Sequence, residues 1–512
     1  MNNQYELEYY SGYIRNLKKL CTELDIAIDG PTRESEKSVI LKGYTRWEDE
    51  IVNHLYGSFA FVLRNKSDGM LIAVRDQLGT QPLYYTVLRK EVYCSGSIRE
   101  LIVKPGFVKR INPTAFQRYL RFSYPVGEET LFRDIKKLMP GCILKWNGRR
   151  EGPEITRYFK PGLCADESLS MKECSERIHN MFGEILEGEA SEHASVLLSG
   201  GVDSAYLLAM THAQTAYTIG YGETEFDESE LSKKTAVYLG RKLRKIIVTP
   251  EEYFGMIPKV MYDMELPLAD ASAVTFAIAC RNMAEHGGVC YSGEGADEFF
   301  GGYYSYGQIH KWRKHSANGY LGCTVIMDDR QLRALLKNYD ETDQPAALVG
   351  GIGECAGAEK KLSRMLLTDI ALWLEGDIFL NAAKMSEAYH VEVRTPLSDL
   401  RMFRTAAGIP DRYKVCGGCY KAVFRKAANK VLPDSIAFRK KVGFAVPARS
   451  WLRDIRFRQE MESVLFGKES ELFFRQEYLQ KLWRKYVGGS SRLWRQIYTV
   501  YAFLIWYRQY FE

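Results

Sequence analysis

Ser195-Val196-Leu197-Leu198-Ser199-Gly200-Gly201-Val202-Asp203-Ser204-Ala205-Tyr206-Leu207-Leu208-Ala209-Met210 is the stretch whose reading decides the fold. Its first residues, with Ala194 before them, form a short apolar run of strand character. Its last six have helix-forming composition, and Ser199–Ser204 is a glycine turn between the two. A strand, a glycine turn and a helix start aim backbone N–H groups and a helix dipole at an anion. The glycines let oxygen atoms approach the main chain, and Ser199 and Ser204 add hydroxyl donors. Asp203 is out of place beside a phosphate unless a divalent cation bridges the two.

The chain has 512 residues, enough for two or more cores. A hydrophobic share of 46% and a charged share of 26% are those of a globular protein. The net charge of +6 is small for this length, and no basic run signals a nucleic-acid partner. No apolar stretch reaches membrane-spanning length and the start carries no signal-peptide pattern, so the expected location is the cytoplasm. Eleven scattered cysteines fit reduced thiols. Cys416-Gly417-Gly418-Cys419 has no second pair for zinc and no thioredoxin-like context, so it reads as a glycine turn.

The first ~160 residues alternate short apolar runs with turn signals, a mostly β pattern. Leu55–Leu63 and Met70–Val74 read as adjacent strands joined by Asn65-Lys66-Ser67-Asp68-Gly69. A polar stretch from Asn147 to Ser168 marks a boundary. Beyond it strands alternate with longer helical periods, then helix dominates. The expectation is an α/β protein of two domains, 1–160 and 161–512, with a parallel-sheet core and a helical extension in the second.

Val289-Cys290-Tyr291 ends a second candidate strand and opens into Ser292-Gly293-Glu294-Gly295-Ala296-Asp297-Glu298. In an open α/β sheet such loops from different strands converge on one ligand crevice. Asp297 is then a partner for Asp203 around one cation. Glu294 is placed to accept a proton or to recognise an ammonium.

With these loops in hand the chain resembles the asparagine synthetase family, with its β-lactam synthetase and lasso-peptide cyclase relatives. The resemblance covers nearly the whole chain. It includes Gly12-Tyr13-Ile14-Arg15-Asn16, Phe59-Ala60-Phe61, Arg75-Asp76-Gln77-Leu78-Gly79, both glycine loops, Val391-Glu392-Val393-Arg394-Thr395-Pro396, Lys421, Arg425 and Arg439-Lys440-Lys441-Val442-Gly443-Phe444. It implies an Ntn-hydrolase-like first domain and a second domain of the PP-loop ATP pyrophosphatase type. The implied activity is an amide ligase that activates a carboxylate with ATP and Mg²⁺ as an acyl-adenylate. Carried over by position, Ser199, Gly200, Gly201, Asp203 and Ser204 hold the pyrophosphate side, with Mg²⁺ on Asp203 and Asp297. Leu197, Ile219, Ser292 and Gly293 surround the adenosine. Glu294 handles the attacking amine, and Lys441 stabilises charge at the adenylate.

The resemblance breaks in the first domain. Glutamine-hydrolysing members begin Met-Cys, and that thiol attacks glutamine. Here position 2 is Asn2, and the first cysteine, Cys21, lies in a helical-looking segment. The segment Gly12–Asn16 normally follows several strands, so the chain reads as starting late. Ser11-Gly12-Tyr13 replaces the Asn-Gly-Glu that supplies oxyanion donors, and Ser35-Glu36-Lys37-Ser38 stands where an acidic amino-group clamp is expected. The implied protein does not hydrolyse glutamine, and its first domain is a structural cover. The expected substrates are a small-molecule or peptide carboxylate and an amine, with a homodimer admitted as the assembly. Aspartate with ammonia, or a β-lactam or lasso-type cyclisation, remain the alternative reactions.

Overall fold

The structure is a computed structural model and describes residues 4–27, 30, 32–149, 152–188, 194–222, 226–308, 319–354, 361–440 and 446–512. The N-terminal half is built on an antiparallel sheet of five strands. They are β1 (Tyr5–Ile14), β2 (Gly57–Asn65), β3 (Leu71–Arg75), β7 (Cys142–Trp146) and β8 (Glu154–Arg157), in the order β1-β2-β3-β7-β8. The strands β4 (Tyr84–Leu88), β5 (Glu91–Ser95) and β6 (Ile135–Lys137) form a second antiparallel sheet, ordered β5-β4-β6. β2 shows why the layers stack. Phe59, Phe61 and Leu63 face a core shared with Val39, Ile40 and Tyr44 of the helix Arg33–Trp47. Ala60 and Val62 face the opposite core, with Leu83, just before β4, and Tyr85 and Val92 of the smaller sheet. Apolar residues on both faces of a strand require a layer on each side. The pairing of β2 with β3 is the one the sequence predicts, while the helices Arg33–Trp47 and Pro113–Phe122 interrupt the β pattern expected there.

The C-terminal half holds a parallel sheet of β9 (Ser195–Leu197), β10 (Thr215–Gly220), β11 (Lys242–Ile247), β12 (Val289–Tyr291) and β13 (Glu392–Arg394). The order is β11-β10-β9-β12-β13, so the winding reverses between β9 and β12. Helices follow to the C-terminus. The last, Trp494–Phe511, buries residues on nearly every side, and Trp506 Nε1 donates to the Glu265 carbonyl at 2.9 Å. No helix of the described residues is long and apolar enough to cross a membrane. The fold is therefore two-part α/β, with a layer of antiparallel sheets followed by a parallel α/β unit with a helical extension.

Buried charge joins the halves. Arg15 pairs with Asp399, both nearly inaccessible, and Arg401 reaches the same carboxylate at 3.0 Å. Glu375 accepts from Arg75 at 2.9 Å and from Lys137 at 2.5 Å. Glu265 accepts from the Ile98 amide at 2.8 Å, Arg99 at 2.9 Å and Lys384 at 2.6 Å, and from the Ser97 hydroxyl. Each carboxylate is paired more than once, which is what makes buried charge tolerable.

Candidate active site

The reversal between β9 and β12 locates the cleft, because in open α/β sheets ligands settle outside the carboxyl ends of strands at such a switch point. The loop after β9 leads into the helix Val202–Met210, and the loop after β12 leads into the helix Ala296–Phe300. The two loops touch. A Cβ on Gly293 would lie 3.2 Å from the Ser204 amide nitrogen and 3.3 Å from the Asp203 Cβ, tight enough that the first loop would have to give by a few tenths of an ångström. The first loop is shaped by its own hydroxyls. Ser204 Oγ accepts from the Ser199 amide at 3.0 Å, and Ser199 Oγ accepts from the Gly201 amide at 3.2 Å.

The cavity at this point has a volume of about 570 Å³. Leu197, Ser199, Gly201, Asp203, Ser204, Ile219, Ser292, Gly293, Glu294 and Asp297 line it, so most of the residues named from the sequence come together. Gly200 is set back, its amide donating to Glu228 Oε2 at 3.1 Å. Lys441 lies outside the described residues. Its neighbour Arg439 reaches the first loop and donates to the Gly200 carbonyl at 3.1 Å.

Lys421 is the centre of the charge arrangement. Its Nζ lies 2.5 and 2.6 Å from the two oxygens of Asp203 and 2.8 Å from Asp297 Oδ1. Burial opposes its charge, but the two carboxylates outweigh burial and hold its pKa above the usual lysine value. Its backbone is left-handed, with φ of 55°, a conformation that costs a non-glycine residue about 1–3 kcal/mol. Arg425 fixes the next turn, donating to the Ala437 and Arg439 carbonyls at 2.8 Å each.

The chain matches the family model for asparagine synthase over residues 188–508 and that for a glutamine amidotransferase domain over residues 2–159. It belongs to the asparagine synthase family. It is 28% identical to asparagine synthetase [glutamine-hydrolyzing] 1 of Bacillus subtilis, covering 97% of this chain and 84% of that protein. It is 27% identical to a putative asparagine synthetase [glutamine-hydrolyzing] of Mycobacterium tuberculosis, covering 98% of this chain and 84% of that protein. The chain is thus a carbon–nitrogen ligase of the ATP-dependent, asparagine-synthase type.

Within this family frame, Glu294 has the proton-handling environment. Burial pushes its carboxyl up to about 7. The Ser292 hydroxyl, donating at 3.0 Å, opposes the rise, and Asp297, Asp203 and Asp270 add to it. Glu298, behind it, is pushed up to about 8 by burial and Asp297. Among the described residues no group of three or more His, Cys, Asp or Glu converges to hold a metal by itself. Asp203 and Asp297 both contact one cation, the Lys421 ammonium. Two carboxylates suit Mg²⁺, which fills its remaining positions with substrate phosphates and water.

Other residues of the cleft come from distant parts of the chain, and the contacts they make have no spacing to read in the sequence. Lys421 precedes a helix after the hairpin that pairs Val415 with Tyr420 and Cys416 with Cys419. Both cysteines are free. Arg439 contributes through a distant carbonyl. Asp270 enters as the N-cap of the helix Ala271–Ala284, accepting from the Ser272 amide at 3.0 Å. Asp377 and Asn381 enter from a wide-turn π-helical segment, Ile370–Phe379, and the helix that continues it.

Proposed function

We propose that this chain activates a carboxylate as an acyl-adenylate and passes the acyl group to an amine without hydrolysing glutamine. The observation that carries the reading is the contact of the two glycine loops at the sheet's switch point, with Asp203 and Asp297 gathered on Lys421. A carboxylate oxygen attacks the α-phosphorus of ATP, the α–β phosphate bond breaks, and pyrophosphate leaves. The amine nitrogen then attacks the acyl carbon, AMP leaves, and the proton lost from nitrogen goes to Glu294. Lys421, the Ser199–Ser204 loop and Lys441 are the proposed stabilisers of phosphate and acyl-oxygen charge. Mg²⁺, held by Asp203 and Asp297, would neutralise phosphate charge when bound. Leu197, Ile219, Ser292 and Gly293 are assigned to adenosine. Residues 161–512 are taken as the synthetase and 1–160 as its cover.

Support for a silent first domain lies in the positions of Arg33 and Glu36. Glu36, where the amino-group clamp is expected, accepts from the Ile14 amide at 2.8 Å and from Arg33 at 3.4 Å. Arg33 also donates to the Gly12 and Tyr10 carbonyls at 2.5 and 2.6 Å, covering the edge of β1. A clamp spent on the protein's own groups is not available to glutamine. The names of the relatives favour a second reading in which the acid is aspartate and the amine is ammonia. Product analysis tests the core of both. AMP and pyrophosphate are expected in equal amounts, and ADP with phosphate would overturn the adenylation.

A further inference from the structure

The hairpin that leads into Lys421 carries two thiols at its tip, and the chemistry of the cleft uses neither. Val415 pairs with Tyr420 and Cys416 with Cys419, which leaves Gly417 and Gly418 as a two-residue turn. Their φ angles are 55° and 81°. A two-residue turn with both central residues at positive φ is the tight connection of a regular hairpin, and it sets its flanking residues directly opposite one another. Side chains directly opposite in an antiparallel pair stand on the same face. Their Cα atoms lie about 4.5–5.5 Å apart, inside the range of about 4.4–6.8 Å that a disulfide spans. A thioredoxin-like protein places its thiol pair at a helix start. Here the register of a hairpin brings the two sulfurs together.

Cys416 is exposed and Cys419 half-buried. The tip stands in open space, because a Cβ on Gly417 or on Gly418 would meet nothing within 4 Å. A small solute can therefore reach Cys416. Cys419 Sγ makes one weak contact, to the Tyr420 carbonyl at 3.8 Å, so little holds it in place.

The base of the hairpin is joined to the cleft. The Tyr420 hydroxyl donates to the Tyr304 carbonyl at 3.4 Å, and a Cβ on Gly301 would lie 3.0 Å from Val415 Cγ2. Lys421 follows Cys419 by two residues, and its amide donates to the Gly301 carbonyl at 3.3 Å. Gly301 is the C-cap of the helix Ala296–Phe300, which carries Asp297. The lysine that holds Asp203 and Asp297 is thus hung between the hairpin and that helix. Closing a disulfide draws opposed Cβ atoms from about 4.5–5.5 Å to about 3.5–4.5 Å. Lys421, with φ of 55°, sits in the narrow left-handed well and is poorly placed to absorb the pull.

We infer that Cys416 and Cys419 form a reversible oxidation site whose oxidant is a low-molecular-weight disulfide, and that closing it slows the reaction in the cleft. The Cys416 thiolate attacks one sulfur of the small disulfide, whose S–S bond breaks and releases a thiolate. The Cys419 thiolate then attacks Cys416 Sγ, the mixed S–S bond breaks and the second thiolate leaves. The protein's two thiols are oxidised, the small disulfide is reduced to two thiols, and the two protons pass to the released thiolates. The effect on the cleft rests on the adenylating-ligase reading, whereas the oxidation site stands apart from it.

Incubating the full chain with glutathione disulfide, followed by digestion and mass spectrometry, tests the site without any turnover. The tryptic peptide 415–421, which carries both cysteines, should lose the mass of two hydrogen atoms and carry no glutathione. A peptide that stays reduced, or that stops at the glutathione adduct, would overturn the inference. Pyrophosphate exchange tests the link to Lys421. The oxidised chain should exchange about 10- to 100-fold more slowly, the scale of misplacing a reacting group by about 1 Å. Dithiothreitol should restore the rate. Cys416→Ser should exchange like the reduced parent and ignore the oxidant. A closed disulfide with parental exchange, or equal slowing of Cys416→Ser by the oxidant, would overturn the link. A chain that closes the disulfide but forms ADP would sink the adenylation reading and leave the oxidation site standing.

Discussion

Lys421 and Asp203 are 218 positions apart in the chain, yet the lysine nitrogen lies within 2.6 Å of both carboxylate oxygens. With Asp297 at 2.8 Å the three side chains form a closed electrostatic unit beneath the two glycine loops. An ammonium and a divalent cation can share two carboxylates only if the phosphates they bind supply the missing negative charge. ATP is thus the expected glue of the site.

Lys421→Met should therefore remove pyrophosphate exchange by roughly 10²–10³-fold, the scale of losing one preorganised charge in a dry site. It should also lower the melting temperature, because two buried carboxylates lose their counter-ion. Asp203→Asn and Asp297→Asn should each lose the exchange while melting close to the parent. Exchange at parental rates in Lys421→Met would show that the lysine is structural only.

Glu294→Gln should separate the half-reactions. Pyrophosphate exchange should persist, and amide formation should slow by about 10²–10⁴-fold if the carboxylate is a general base. Its carboxyl titrates at about 7 and serves as a base only when deprotonated, so the amide step should climb as pH rises through about 7 and level above it. That climb should be absent from the variant when both are measured with one amine. Equal loss of exchange would reassign Glu294 to the nucleotide or the acid.

The glycine loops were legible because each packs strand, turn and helix start into a dozen residues, and local order of that kind is written locally. Ser199–Ser204 and Ser292–Asp297 therefore appear where the sequence put them, at the ends of β9 and β12. Lys421 was visible as a motif residue, but its partner was not, because a contact across 218 positions has no spacing to read. Asp377 was hidden for a different reason. Ile370–Phe379 is an apolar run broken by Glu375, Gly376 and Asp377, and nothing in its periodicity announces a π-turn. The cysteine pair 416 and 419 read as a plain glycine turn, and it is the tip of a short hairpin with free thiols.

Glutamine should not supply nitrogen. Amide-labelled glutamine should release no glutamate in step with amide synthesis, whereas ammonium or a substrate amine should sustain turnover. Arg33 and the Ile14 amide already occupy the carboxylate of Glu36. Glutamate release matching the rate of amide formation would overturn this assignment.

Glu265→Gln should destabilise the whole chain by about 3–5 kcal/mol, the cost of breaking a buried pair and stranding Lys384. Burial alone would raise this carboxyl, but Lys384, Ser97 and the Ile98 amide outweigh it and hold its pKa below the ordinary glutamate value. The stabilisation is therefore complete above that ordinary value and is lost as pH falls through the lower folded value. Acid unfolding should begin at higher pH in any variant that weakens the cluster, followed by circular dichroism across the acid range.

Glu375 is two residues from Asp377 in the same π-turn, and it is held from the other side by Arg75 and Lys137. A gene fusion that grafted a different first half onto this second half would carry a hidden change of taste. The new half would have to bring its own arginine and lysine to the same spot, or the wall of the cleft would be re-hung. Substitutions more than two hundred positions away from that wall could then pass in a screen as altered substrate preference. A library built to diversify this enzyme should treat Arg75, Lys137 and Glu375 as one inherited unit and vary them together or not at all.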